Sequence, residues 1–193
     1  PSDITPRSNR PSLWQYRPEP ASITLGNVNP DSQYKRVSQV IIDNTHTPVN
    51  SETVVVRPHL LAQLGKFNVA ASDSIVLSSD IHMLGGAQLT LTAPSIQLNN
   101  MIHIPSGEIN LETIDPRDDA TNIVSAVDIS ADINLAGLQL DSSASLTRVH
   151  YLDGGAISIN NTGTTTIDGT VDIDLSAGIS AQLRDGSYDF VLG

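Results

Sequence analysis

The chain contains no cysteine, so neither a disulfide framework nor thiol chemistry is open to it. No stretch of about eighteen apolar residues occurs, which removes a membrane-spanning helix. It starts at Pro1 without a basic-then-apolar leader, as a processed protein or a piece of a larger chain would. Aromatic residues are 4% of the sequence, and after Trp14, Tyr16, Tyr34 and Phe67 none follows until Tyr151. An ordinary globular core takes much of its bulk from aromatics. The interior here must instead be built from Ile, Leu and Val, which suits a narrow and regular core.

Basic charge is also scarce, and unevenly so. The net charge is −11. Residues 1–70 carry seven Lys/Arg against five Asp/Glu, a net of +2, whereas residues 71–193 carry three (Arg117, Arg148, Arg184) against sixteen, a net of −13. Binding a phosphate backbone needs clustered cations, so the later part is no nucleic-acid binder, and it is equally unsuited to an anionic membrane surface.

What the sequence does have is self-similarity, the mark of a repeat architecture. Ser74-Ile75-Val76-Leu77-Ser78-Ser79 returns twenty-one residues later as Ser95-Ile96-Gln97-Leu98-Asn99-Asn100, and Ile81-His82-Met83 as Ile102-His103-Ile104. Gly86 and Gly107 keep the same offset, while the pair Leu89/Leu91 returns as Ile109/Leu111 after twenty. Each segment alternates apolar and polar residues with period two, the pattern of a strand buried on one face. The alternation continues through Val127-Asp128-Ile129, Ile133-Asn134-Leu135, Leu138-Gln139-Leu140, Ile157-Ser158-Ile159 and Val171-Asp172-Ile173-Asp174-Leu175. Ser, Asn, Asp and Gly pairs separate the segments and turn the chain. Helical periodicity is missing. An antiparallel sandwich also has short, evenly spaced strands, but it favours hairpins and aromatic anchors and does not explain a coil-length repeat. The expected fold is therefore all-β, a right-handed parallel β-helix (β-solenoid) with rungs of roughly twenty residues and about six of them.

Three regions are expected. Residues 1–36, with Pro1, Pro6, Pro11, Pro18, Pro20 and Pro30, read as an extended proline-rich arm or linker, because proline cannot donate to a ladder. Residues 37–66 read as lead-in strands, Val37–Ile42 ended by the turn pair Asp43-Asn44 and Thr53–Arg57, followed by a short capping helix from Pro58 with Gly65 as its stop. Residues 67–193 read as the solenoid.

The run from Ala93 to Leu111, with Ile96-Gln97-Leu98-Asn99-Asn100 and Gly107-Glu108-Ile109-Asn110-Leu111, and the later Gly154-Gly155-Ala156-Ile157-Ser158-Ile159-Asn160-Asn161, resemble repeats of filamentous-haemagglutinin-like exoproteins. The resemblance covers about residues 67–193 and is one of repeat style; the proline-rich start departs from it. It implies a right-handed parallel β-helix from a large bacterial exoprotein exported by two-partner secretion, found secreted or at the cell surface and acting in adhesion, biofilm formation or contact-dependent inhibition. Its partners would be surface glycans or proteins. No binding residue of that family carries over, and an Arg-Gly-Asp triplet is absent.

Several constellations of polar residues invite a site, and each also has a plain surface reading. His82 and His103 hold equivalent polar positions, but zinc or copper wants further ligands, and the next position at that spacing is Val124. Asp115, Asp118 and Asp119, and Asp168, Asp172 and Asp174, form two acidic groups; calcium prefers several oxygens from one loop, and the segment Thr166–Asp172 lacks the glycine-rich calcium nonapeptide of other solenoids. With Val171, Ile173 and Leu175 inward, Asp172 and Asp174 are solvated decoration. An enzyme acting on polysaccharides would gather carboxylates with a base in one groove, yet beside Asp132 and Asp153 no base is placed. Outward Ser, Thr and Asn either stabilise the coil by side-chain ladders or offer a flat sugar-binding face. The expectation is a rod segment of an adhesin, not an enzyme, with no catalytic, cofactor-binding or metal residue and no cofactor; the alternatives are a carbohydrate-binding or phage-fibre-type module and a β-helix polysaccharide-degrading enzyme.

Overall fold

In the computed structural model, residues 21–25, 37–48, 52–114, 125–137, 139–140, 150–151 and 153–177 are described. The protein is all-β. Three sheets are purely parallel, and the chain visits them in the same cyclic order. Four complete passes are traced: β4 (Leu64–Ala70), β5 (Ser74–Leu77) and β6 (Ile81–His82); β7 (Gln88–Thr92), β8 (Ser95–Leu98) and β9 (Ile102–His103); β10 (Glu108–Glu112), β11 (Ala126–Ile129) and β12 (Ile133–Asn134); and β15 (Ala156–Asn160), β16 (Thr164–Ile167) and β17 (Ile173–Asp174). Strands of one pass never pair with each other. Each pairs with its counterpart in the pass before and after, as parallel strands joined by long crossovers must.

The pairing repeats the sequence alignment. Ser74 pairs with Ser95 and Ile81 with Ile102, while Leu89 pairs with Ile109, reproducing the offsets of twenty-one and twenty. Inward residues consequently stack in columns. Ile23, Phe67, Leu89, Ile109 and Ile157 make one; Val40, Ile75, Ile96, Val127 and Thr165 a second; Ile81, Ile102, Ile133 and Ile173 a third. The middle members have essentially no exposure. Phe67 is the one aromatic in this core, as the composition required.

The expected even spacing of about twenty residues holds from the first pass to the second and on to β10, and no further. Ser95 pairs with Ala126, and Glu108 with Ala156, because β10 and β11 are separated by thirteen residues where β7 and β8 are separated by two, and β12 and β15 by twenty-one where β9 and β10 are separated by four. The inserted length also explains why four three-strand passes, rather than about six, are found among the described residues. Between β12 and β15, β13 (Gln139–Leu140) and β14 (His150–Tyr151) form a separate antiparallel pair, so Gln139 and Leu140 are not strands of the three parallel sheets; Leu138 lies outside the described residues.

The sheets also run across the expected boundary at residue 67. β1 (Ala21–Leu25), inside the proline-rich segment, pairs in parallel with β4. β2 (Gln39–Ile42) lies between β5 and β3 (Thr53–Val56), so the chain steps outward to β3 before beginning the first complete pass. The helical turn opened by Pro58 is a 3-10 helix, Pro58–Gln63, with Pro58 and Leu61 buried, and it packs on β6. Gly65 is not its stop. It is already in β4, where the β1 register slips by one residue, a bulge that glycine tolerates.

Corners depend on backbone freedom. Gly86 has φ +74° and Ser106, twenty residues on, φ +54°, the left-handed region that side chains other than glycine seldom adopt. A Cβ on Gly155 would stand 2.2 Å from the Gly107 carbonyl oxygen, so the third pass and the fourth meet there backbone to backbone.

Candidate functional site

The outer surface consists of ladders one residue out of phase with the core. On the first sheet, Thr24, Asn68, Thr90, Asn110 and Ser158 align, beside Lys66, Gln88, Glu108 and Ala156. Glu108 is the focus of this face. Gln88 Nε2 donates to its Oε2 at 2.7 Å and Asn110 Nδ2 to its Oε1 at 3.0 Å. The Asn110 and Gln88 donors, with a smaller contribution from the Lys66 charge, hold the carboxyl below its ordinary range, so it is an anion at neutral pH. Beside it is a shallow depression of about 260 Å³, lined by Gly86, Ser106, Gly107, Gly154 and Gly155 together with Gln88 and Glu108. Glu108 is the one ionisable group in that lining. It can accept hydrogen bonds from a hydroxyl or amide, but with no second ionisable group in the lining of the depression it does not make an acid–base pair there.

The second polar focus is at a corner of the second sheet. Asp43 Oδ1 accepts from Ser79 Oγ at 2.7 Å, and its Oδ2 accepts from the His46 backbone N–H at 2.7 Å and Thr45 Oγ1 at 3.3 Å. Arg57 donates through its two terminal nitrogens to the carbonyls of Asp43 and His46, each at 2.9 Å. The Ser79 hydroxyl first, then these backbone donors, bring the Asp43 carboxyl to about 2. This knot ties the ends of β2, β3 and β5 together. The turn pair Asp43-Asn44 was legible in the sequence, whereas its partners Arg57 and Ser79 were not; the hint available was Asp43 beyond the apolar run, a short residue fit for side-chain-to-backbone bonds.

The histidines do meet. His82 and His103 are directly paired on β6 and β9, with ring centroids 5.5 Å apart and planes tilted by 56°. Val124 lies outside the described residues, and His103 pairs next with Asn134. Because the connection before β11 is eleven residues longer than the one before β8, the next members are Asn134 and Asp174. Among the described residues no group of three or more His, Asp or Glu side chains is positioned to hold a metal ion. Asp115, Asp118, Asp119, Arg117, Arg148 and Arg184 also lie outside the described residues.

The second acidic group is spread over turns. Asp168 Oδ1 accepts from the backbone N–H and the hydroxyl of Thr170, each at 3.0 Å, and Asp174 Oδ1 accepts from Ser176 N–H at 2.9 Å. These bonds lower both carboxyls. Asp132 accepts from the Asp172 backbone N–H at 2.9 Å, so its neighbour is the next pass rather than Asp153. The Asp168 and Asp174 carboxylates thus close turns, and the Asp132 carboxylate joins two passes. No helix among the described residues is long and apolar enough to cross a membrane.

No family model, curated protein or solved structure matches the chain. Its chemistry must therefore be read from its own residues.

Proposed function

We propose that the parallel passes are successive turns of a right-handed β-helix, and that the chain is a rod segment of a secreted or surface-displayed bacterial adhesin of the filamentous-haemagglutinin type. The observation that carries this reading is the inward columns: apolar residues recur at the same positions from pass to pass, with Thr165 the exception in the second column, while on the outer face Gln39 and Ser74, Asn68 and Thr24, and Gln88 and Glu108 bond across neighbouring strands. Right-handedness follows from the general rule for parallel strands joined by crossovers. A scaffold of this kind adds length at about 4.8 Å per turn without needing a site, and its role is to hold a binding region away from the cell.

Length is the property to test. Duplicating residues 88–107, one register repeat, four times over should extend the molecule by about 19 Å at the ordinary strand spacing, read by small-angle scattering, with cooperative unfolding kept. Loss of folding on insertion would sink the turn reading. A second reading, a carbohydrate-binding module, has the Thr/Asn ladder and the Glu108 depression in its favour. Saturable binding of the isolated chain on a glycan array would move the assignment from rod to lectin.

A further inference from the structure

A rod gives the pair His82–His103 no task. The two histidines hold equivalent positions on β6 and β9 and face outward, His82 exposed and His103 half-buried. Ile81 and Ile102 beside them point inward and have no exposure. The ladder is closed on either side of His82: the Ile81 N–H donates to the Met101 carbonyl at 2.9 Å, and the Met83 N–H to the His103 carbonyl at 3.0 Å. The backbones that carry the two rings are therefore fixed relative to each other, as a preorganised site on rigid elements requires. Among the described residues no side chain hydrogen-bonds to either ring, which leaves their nitrogen lone pairs uncommitted.

The spacing is that of two ligands of one ion. With metal–nitrogen bonds of about 2.0–2.1 Å, two imidazoles on a tetrahedral or trigonal centre have ring centroids roughly 5–5.5 Å apart; those of His82 and His103 are 5.5 Å apart. The surroundings favour a cation. Asp80, Asp132 and Asp172 immediately precede β6, β12 and β17, and Asp174 ends the outward ladder that the histidines begin. Residues 78–85, 99–106, 130–137 and 170–177, which make up this sheet and its corners, contain no Lys or Arg. We propose that His82 and His103 form a two-histidine site for a divalent late transition-metal ion, copper(II) most tightly, which clamps the second pass to the first. Water fills the remaining positions, as it does in open metal sites. The site needs the paired strands alone and stands whether or not the chain is a rod.

Calorimetric titration of the full chain with CuCl2 tests it, and electron paramagnetic resonance of the tightest site reads the ligands. Wild type should show splitting from two imidazole nitrogens. His82→Ala and His103→Ala should each weaken binding by more than the roughly 10–100-fold that loss of an outer-shell partner costs. A variant carrying His46→Ala, His59→Ala and His150→Ala should bind as wild type does, since these are the other three of the five histidines. A single variant of the pair that binds as tightly as wild type, or a signal from one nitrogen, overturns the proposal. The ion joins two strands that meet in the folded protein, so ZnCl2 should raise the Tm of wild type and of neither single variant. An unchanged wild-type Tm overturns the clamp. If His103→Ala loses its far-UV spectrum, His103→Gln replaces it.

Discussion

Ile96→Asp is the most direct probe of the column arrangement. Ile96 has no exposed surface and lies between Ile75 of the preceding pass and Val127 of the next. Truncating such a side chain costs roughly 2–5 kcal/mol, and placing a carboxyl among aliphatic neighbours adds on the order of 1–3 kcal/mol more even when it takes up a proton. Against a stability of about 5–15 kcal/mol, the sum of roughly 3–8 kcal/mol unfolds the chain or nearly so. The control is next door: Gln97→Asp puts the same charge on the outward, half-buried position and should change stability by about 0.5 kcal/mol or less. The pH dependence separates burial from a general charge effect. A buried carboxyl has its folded-state pKa raised, so the folded variant is least destabilised below the unfolded value of about 3.9 and loses ground as pH rises. Urea melts followed by circular dichroism at pH 3.5 and pH 7 therefore give a larger deficit at pH 7. Equal losses for the two variants, or an Ile96→Asp protein that melts like its parent, would refute the inward assignment.

Other perturbations follow from the corners. The Asp43 carboxyl, depressed to about 2 from 3.8, contributes stability that is present above the unfolded pKa and lost as pH falls through the folded one; Ser79→Ala should move its titration upward, read from the carboxyl carbon by NMR, and Asp43→Asn should flatten the stability profile between pH 4 and pH 2. Gly155→Ala should cost about 1–3 kcal/mol in chemical denaturation, because its Cβ meets backbone rather than a movable side chain. Gly86→Ala meets nothing within 4 Å but sits at φ +74°, so its cost should be about 1–2 kcal/mol from the backbone alone. Gly169→Ala, with open space and no positive φ, should melt within about 0.5 kcal/mol of the parent.

Much of this architecture was legible because its strongest signal is local. Between residues 74 and 113 each strand alternates cleanly, the segments repeat at twenty to twenty-one residues, and the parallel pairing has those same offsets. Outside that window the signals weaken for identifiable reasons. β16 reads Thr164-Thr165-Thr166-Ile167, with Thr165 at the position held by Val40, Ile75, Ile96 and Val127 in other turns; with no apolar residue there, period-two alternation vanishes. β1 is five residues amid prolines, and nothing in Ala21–Leu25 announces a partner more than forty residues away. The position of β3 outside β2 reverses the order that sequence alone suggests. The histidine ladder failed at its third step because a fixed offset was carried across an insertion. On the outer face, the Glu108 network could have been foreseen, since Gln88 and Glu108 are one repeat apart.

The insertions themselves show which force sets the register. Lengthening a loop from 20 to 48 residues, the change between the Leu89–Ile109 and Ile109–Ile157 steps, adds about 0.8 kcal/mol of closure entropy. Slipping β15 by one residue would turn Ile157 and Ile159 from the columns of Ile109 and Leu111 toward solvent. Their full burial is worth roughly 1.5–3 kcal/mol each, and even half of that for both exceeds the loop penalty. The pairing therefore follows the columns and ignores the spacing along the chain. That is why β15 finds β10 in register across forty-eight residues, and why corners can accept long excursions while the stacked interior stays uniform.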